Sequence, residues 1–338
     1  WQWQDTKNTD QNIKNQLKPF LDFDSKTNPA LLLNNYSWLK DINILEFLRD
    51  TGKHFTVNAM LAKDSVKSRL ENPDTGISFT EFSYMLLQAF DFYYLNMKYN
   101  CELQCGGSDQ WGNSIAGVEL IRKKLQREAF VITYPLLTTS DGRKFGKSEG
   151  NAIWIDPELT SPYHFYQFWI NVEDNDVIKF LKLFTFLNFD EIKEYEELTK
   201  TAPEQREAQK RLAKEITLLV HGAEKLEQAI LASNALFGAE DLRKIKLETL
   251  EQIYNTTPSI ELNNLTEKNR LLDLIVEVGL TKSKSQAKEA FASGGIYVNN
   301  IKTTDINFTI TTDLLIHNRF LILRRGKKNF AIIKVNFK

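Results

Sequence analysis

The 338-residue sequence is 42% hydrophobic and 26% charged, with 43 Lys and Arg against 44 Asp and Glu, a balance that allows two or three domains with a sizeable core and excludes a disordered chain. No run approaches the ~20 apolar residues of a membrane span and no charged-then-apolar leader is visible, so a cytoplasmic protein without a membrane partner is expected. Cys101 and Cys105 form no Cys-x-x-Cys pair, and the four histidines are scattered; buried thiols are expected, with no disulfide and no metal site.

From Gln11 to Phe23 the residues Ile13, Leu17, Phe20 and Leu21 recur at helical spacing, which predicts a helix that stops before Asn28-Pro29. Asn34-Asn-Tyr-Ser-Trp38 follows, and Ile44, Leu45 and Leu48 then mark an amphipathic helix ended by Gly52. Lys63, Lys67 and Arg69 read equally well as solvated or as RNA-facing. Ser78-Phe-Thr-Glu81 is a capping-box signature that opens a helix with an apolar stripe of Phe79, Phe82, Leu86 and Phe90. Another face of this helix carries Tyr84, Gln88 and Asp91, spaced i, i+4, i+7 and therefore aligned. Standing alone, such a polar ladder is usually a solvated face.

Cys101, Leu103 and Cys105 alternate as in a strand, Gly106-Gly107 permits close backbone approach, and Asn113 to Leu125 reads as an amphipathic helix. Ligands of open α/β sheets gather at such strand-to-helix junctions, and here Asp109 and Gln110 offer an acceptor and an amide. The stretch from Thr138 to Asn151 sets Lys144 and Lys147 three residues apart among Gly142, Gly146 and Gly150, a loop able to close on phosphates. It is not a Walker A loop, because three residues and not four separate Gly142 from Gly146, and Ser148 is followed by Glu149-Gly150-Asn151, the β-like run Ala152-Ile-Trp-Ile155 and Asp156-Pro157 instead of a helix. A lone lysine pair is most often a solvated turn. Beside the Gly106 junction it reads as part of a nucleotide site for adenylyl transfer.

Past Asp156-Pro157 the pattern is helical. Ser161-Pro162 caps a short helix crowded with Tyr163, Phe165, Tyr166, Phe168 and Trp169, read as core. Helices follow over Asp174 to Leu187, Glu191 to Thr199, Pro203 to Val220 and Ala223 to Phe237, the last two ended by Gly222 and Gly238. Residues 239–262 show weak periodicity and are read as a linker. Residues 263–338 hold 13 Lys and Arg against 6 Asp and Glu, a net of +7 that leaves −8 on residues 1–262, the footprint of a module that binds a phosphate backbone. In it, Leu271, Leu272, Ile275 and Val278 make one helix, Ser283 caps a second with Lys284 and Lys288, and Arg324-Arg-Gly-Lys-Lys328 tips a hairpin. This module is expected to fold and bind a phosphate backbone by itself.

Lys144-Phe-Gly-Lys-Ser148 resembles the Lys-Met-Ser-Lys-Ser signature of class I aminoacyl-tRNA synthetases, and Gly106-Gly-Ser-Asp-Gln-Trp-Gly112 narrows the likeness to the bacterial tyrosyl family. The resemblance implies an α/β chain: a partial Rossmann-like nucleotide-binding domain with a connective insertion over residues 1–160, an all-α helical domain of the anticodon-stem type over 161–238, the linker, and a small α+β RNA-binding domain over 263–338. It implies a tyrosine–tRNA ligase that forms tyrosyl-adenylate from tyrosine and ATP and passes it to tRNA(Tyr). Tyr84 and Gln88 would hold the substrate ammonium, and Asp91 would accept the phenolic hydroxyl. Gly107 and Asp109 would touch the ribose and Gln110 the reacting carboxyl group. Lys144, Lys147 and Ser148 would meet the phosphates, with Lys144, Lys147 and Gln110 as the catalytic set. Lys282, Lys284, Lys288, Arg324 and Arg325 would face RNA.

By the same resemblance ATP is a substrate arriving with Mg2+, no cofactor is tightly bound, and two subunits pair through the insertion, although ordinary core packing explains Ile44 to Leu48 equally well. The family's His-Ile-Gly-His signature has no counterpart here, since His54 lies in Gly52-Lys-His-Phe55. The chain is therefore expected to lack the first nucleotide-fold unit and to be inactive by itself. The rival from another class is a non-enzymatic RNA-binding protein derived from this fold; a P-loop hydrolase is opposed by Gly150 and Pro157.

Overall fold

The computed structural model describes residues 6–70, 76–140, 142, 145, 153–238, 240–265, 269–326 and 329–337. The chain divides into two units, one made of Trp1–Asp10 and Ala30–Ser148, the other of Gln11–Pro29 and Glu149–Lys338. The first helix, α1 (Thr6–Leu17), ends six residues earlier than its apolar spacing predicts, because Pro19 disfavours helical dihedrals at Lys18. Among the described residues no helix is long and apolar enough to cross a membrane.

In the first unit, α2 (Tyr36–Leu39), α3 (Ile44–Asp50), α4 (Val57–Leu61) and α5 (Asp64–Leu70) are short helices. Asn43 caps α3 by accepting from the backbone of Leu45 and Glu46. The capping box forms at Ser78 and Glu81 and starts α6 (Phe79–Tyr99), which stops at Asn100 in a left-handed turn. β1 (Leu103–Gly107), α7 (Trp111–Leu125) and β2 (Phe130–Tyr134) complete the unit, and the two strands pair in parallel from Leu103 opposite Phe130 to Gly107 opposite Tyr134. Parallel pairing through a helical crossover is the nucleotide-fold arrangement the alternation around Leu103 suggested. One face of the pair packs with Val131 and Cys101 against Phe92 and Ile121. The other presents Leu103, Cys105, Phe130, Ile132 and Tyr134 to solvent, so Cys105 is exposed and not the buried thiol expected, while Cys101 is half-buried.

Helices α6 and α7 meet at Gly117. A Cβ there would lie 2.9 Å from Cδ1 of Phe92, closer than any side chain can approach, so glycine sets the separation of the two helices. Phe92 and Ile121 are buried in this seam.

The second unit contains α8 (Pro162–Ile170), α9 (Asp174–Phe184), α10 (Phe189–Thr201) and α11 (Glu207–Leu236). The aromatic side chains of α8 are core, as read: Tyr163, Phe165, Tyr166 and Trp169 are buried, and Trp169 meets Phe180 edge-on at 6.0 Å. Gly222, at φ 81° and ψ 172°, breaks α11 into two helical halves, where only glycine is relaxed.

Residues 239–262 are not a linker. They hold α12 (Leu247–Thr256) and β3 (Ser259–Leu262), and β3 is the edge of a five-stranded sheet with β4 (Ile296–Val298), β5 (Ile301–Thr303), β6 (Phe320–Arg325) and β7 (Asn329–Val335) in the order β3-β7-β6-β4-β5. Only β3 and β7 run parallel. On one face, α13 (Leu271–Glu277) and α14 (Lys284–Ala292) cover Leu321, Leu323, Ala331 and Ile333. On the other, Leu242, Ile245, Leu250 and Ile253 join Ala232, Ala235 and Leu236 of α11 over Phe320, Ile322 and Ile332. Burial on both faces explains why β6 and β7 are continuous apolar runs instead of alternating ones. The periodicity of α12 was overlooked because it spans only Leu247–Thr256 and ends at the Thr257-Pro258 break.

A module cut at residue 263 loses β3 and α12 and bares Phe320, Ile322 and Ile332, each 0% exposed in the intact chain. Residues 263–338 alone are therefore expected to show no cooperative thermal transition, whereas residues 223–338 melt cooperatively. Circular dichroism on the two fragments checks this, and equal melting of both would contradict the two-faced core.

Candidate active site

The C-terminal end of β1 runs into a single 3-10 turn, Ser108–Gln110, that feeds α7. Gly107 leaves room for the Asp109 carboxylate, since a Cβ would lie 2.6 Å from Oδ1 of Asp109 and 3.3 Å from Cδ2 of Leu136 and would turn that side chain aside. Asp109 is exposed and accepts at Oδ2 from Nε2 of Gln110 at 3.1 Å. Asn113, in the first turn of α7, donates from Nδ2 to Oε1 of Gln88 at 3.1 Å and to Oε1 of Gln110 at 3.5 Å. A chain of polar side chains thus joins Gln88 on α6 to Asp109 at the strand end.

The ladder on α6 is only partly solvated. Asp91 is half-buried, accepting at Oδ1 from the indole Nε1 of Trp38 and at Oδ2 from Nδ2 of Asn35, both at 2.8 Å. Trp38 is held by stacking on Tyr94, with centroids 4.5 Å apart and planes 13° from parallel. Burial pushes the Asp91 pKa above the ordinary carboxylate value, and the two hydrogen bonds draw it partly back. The result is a carboxylate fixed in place with lone pairs to spare for a further donor. Gln88 is half-buried one turn before Asp91, and Tyr84, at 47% exposure, stands one turn before Gln88.

Of the expected site residues, the structure brings Gln88, Gln110 and Asp109 into one connected set with Asp91 and Tyr84 on the same α6 face, and places Gly107 at the turn. Lys144, Lys147 and Ser148 lie outside the described residues. Asn35, Trp38 and Asn113 were not singled out from the sequence. Trp38 and Asn35 sit some fifty residues from Asp91, with no local spacing to connect them; Asn113, three residues after Gln110, was read only as a helix start.

A family model for class I tRNA synthetases (W and Y) matches residues 2–238, and one for the tyrosine–tRNA ligase SYY-like C-terminal domain matches residues 249–333. The chain is 52% identical over 325 residues to tyrosine–tRNA ligase 1 of Bacillus subtilis and 53% identical over the same length to tyrosine–tRNA ligase of Bacillus velezensis, covering 96% of this chain and 76% of each relative. The chain belongs to the class I tyrosyl-tRNA synthetase family. Two C-terminally truncated mitochondrial tyrosyl-tRNA synthetases share its fold. That of Aspergillus nidulans superposes with a TM-score of 0.55 at 33% identity over 68% of this chain and 66% of the other, and that of Coccidioides posadasii with 0.53 at 32% over 65% and 64%. The chain therefore spans about three quarters of the length of the Bacillus synthetases and just under two thirds of these two.

The C-terminal domain sorts its cations by burial. Lys282, Lys284 and Lys288 are exposed along the start and outer face of α14, with Lys284 paired to Asp273 at 2.6 Å. Arg325 is half-buried and donates to the carbonyl of Leu280 at 3.0 Å. Arg324 departs from the expected RNA-facing set: it is 7% exposed, its guanidinium lies 4.0 Å from the Tyr297 ring centroid, and Nη1 donates to the carbonyl of Gly326 at 2.8 Å. The pairing of Arg324 with Tyr297 across β6 and β4 turns it inward, so its first role is to hold the sheet.

Proposed function

We propose that the first unit selects and activates tyrosine and that the basic C-terminal domain holds tRNA(Tyr), the tyrosine–tRNA ligase reaction named for the chain's relatives. The observation that carries this reading is Asp91, a half-buried carboxylate pinned by Trp38 and Asn35 on the helix that also bears Gln88 and Tyr84. Tyrosine and phenylalanine differ by one hydroxyl, and apolar walls alone separate such pairs poorly. A desolvated acceptor left without its donor costs on the order of 1–3 kcal/mol, more when it is charged, so phenylalanine is rejected. Tyr84 and Gln88 take the substrate ammonium.

In the activation step the tyrosine carboxylate attacks the α-phosphorus of ATP and pyrophosphate departs, without a protein nucleophile. Catalysis is positioning and charge stabilisation. Gln110 orients the attacking carboxylate, Gly107 and Asp109 receive the ribose, and Lys144, Lys147 and Ser148 meet the phosphates. Magnesium enters with ATP as part of the substrate. The two unpaired cysteines fit a reducing, cytoplasmic setting. In tyrosine-dependent ATP–pyrophosphate exchange by the N-terminally completed protein, Lys144→Ala and Lys147→Ala are expected to lower turnover far more than they raise the ATP Michaelis constant, because the charge they meet grows toward the transition state. Asp91→Ala is expected to erase the preference for tyrosine over phenylalanine. Absence of tyrosine-dependent exchange in the N-terminally completed protein as well as in this chain would favour the rival reading, an RNA-binding protein without activation chemistry.

Lys282, Lys284, Lys288 and Arg325 form the RNA-facing set. The logarithm of the tRNA binding constant is expected to fall linearly with the logarithm of salt, with a slope of about −0.7 to −0.9 per phosphate neutralised. Replacing Lys282, Lys284 and Lys288 by Ala should flatten that line in a filter-binding titration; an unchanged slope would remove these lysines from the interface.

A second copy of the chain is the partner that α3 fits. Ile44, Leu45 and Leu48 are 65%, 73% and 50% exposed, an apolar stripe too large to be left in water on a soluble monomer. Leu45→Asp is expected to sediment as a monomer at concentrations where the unaltered chain is a dimer, and an unaltered chain that is itself monomeric would dismiss the pairing.

A further inference from the structure

We infer that Asn113 is a positioning residue that fixes the polarity of both substrate-reading amides, Gln88 and Gln110, and so couples tyrosine binding to adenylate formation; the inference rests on the roles proposed for those two residues. A glutamine amide presents either a donor or an acceptor, and the two ends are nearly identical in shape. The site needs opposite ends from its two glutamines. An ammonium is read by an oxygen, whereas a carboxylate is read by an N–H.

Asn113 supplies that asymmetry. Its single Nδ2 group has two hydrogens and meets Oε1 of Gln88 at 3.1 Å and Oε1 of Gln110 at 3.5 Å. Both glutamine oxygens are thereby turned toward α7. For Gln88, one lone pair of an anchored oxygen remains for the ammonium. For Gln110, the arrangement sends Nε2 to the other side, where it donates to Oδ2 of Asp109 at 3.1 Å and keeps a second hydrogen for the carboxylate. Asn113 lies one helical turn before Gly117 on α7, and Gln88 one turn before Phe92 on α6. The closest approach of the two helices, at Gly117 and Phe92, therefore also sets the Asn113–Gln88 distance. Asn113 itself is half-buried, which protects the bridge from competition by water.

The test is the kinetics of tyrosine-dependent pyrophosphate exchange by the N-terminally completed protein. Asn113→Ala is expected to raise the tyrosine KM about tenfold and lower kcat about tenfold, the size of one lost oriented hydrogen bond at each glutamine. Asn113→Asp keeps the size but, ionised, only accepts, so both glutamines turn their NH2 ends toward it; it is expected to be worse than Asn113→Ala, an order that a merely structural role would not produce. The KM effect of Asn113→Ala should disappear in a Gln88→Ala background and its kcat effect in a Gln110→Ala background. Circular dichroism melting confirms folding, and Asn113→Ser, which keeps one donor, serves if the alanine variant does not fold. Wild-type kinetics in Asn113→Ala, or full additivity in both backgrounds, overturns the inference while Asp91→Ala still reports on the tyrosine reading. Absence of exchange in the completed protein without substitutions overturns both.

Discussion

The separation of α6 and α7 is the constraint on which the site depends. Gly117 lets the two helices approach until Phe92 occupies the space a Cβ would fill, and every polar contact between them is measured from that seam. α6 carries Tyr84, Gln88 and Asp91, while α7 and the turn before it carry Asp109, Gln110 and Asn113. A larger residue at the seam forces the helices apart or pushes Phe92 off its rotamer, and interiors tolerate neither without loss. The polar residues of α6 and those of the β1–α7 turn are thus held together by an apolar contact between Gly117 and Phe92.

The same logic of support from outside the site governs Asp91. A half-buried carboxylate is unfavourable unless its oxygens are satisfied, and Trp38 and Asn35 satisfy them from a segment remote in sequence. The stacking of Trp38 on Tyr94 fixes the indole N–H, which in turn fixes the carboxylate. The placement of this acceptor is therefore a property of Trp38, Asn35 and Tyr94 together and not of one residue.

The second unit obeys a different constraint, a sheet buried on both faces. The C-terminal domain cannot be a separate bead on a tether, because Phe320, Ile322 and Ile332 are covered by α12 and the second half of α11. Its charge sits where that packing leaves room, on α14 and the edge of the hairpin. Arg324 shows how the sheet can claim a cation that the sequence pattern assigns to RNA, since a guanidinium stacked on Tyr297 is removed from the surface whatever the charge of its neighbours.

Local patterns were legible in the sequence where a short-range rule governs them. The capping box at Ser78 and Glu81, the glycine break at Gly222 and the basic excess after residue 263 are each decided by neighbours in the chain or by composition. So was the alignment of Tyr84, Gln88 and Asp91, which follows from helical geometry alone. The chain by itself did not disclose that Trp38 and Asn35 bind Asp91 on this ladder, that residues 239–262 hold α12 and β3, or that Cys105 is exposed and Arg324 buried. Those outcomes depend on which surfaces meet across long sequence separations, as Trp38 meets Asp91 and Phe320 meets Leu250. Periodicity records that a face is apolar or polar; only the tertiary structure decides what lies against it.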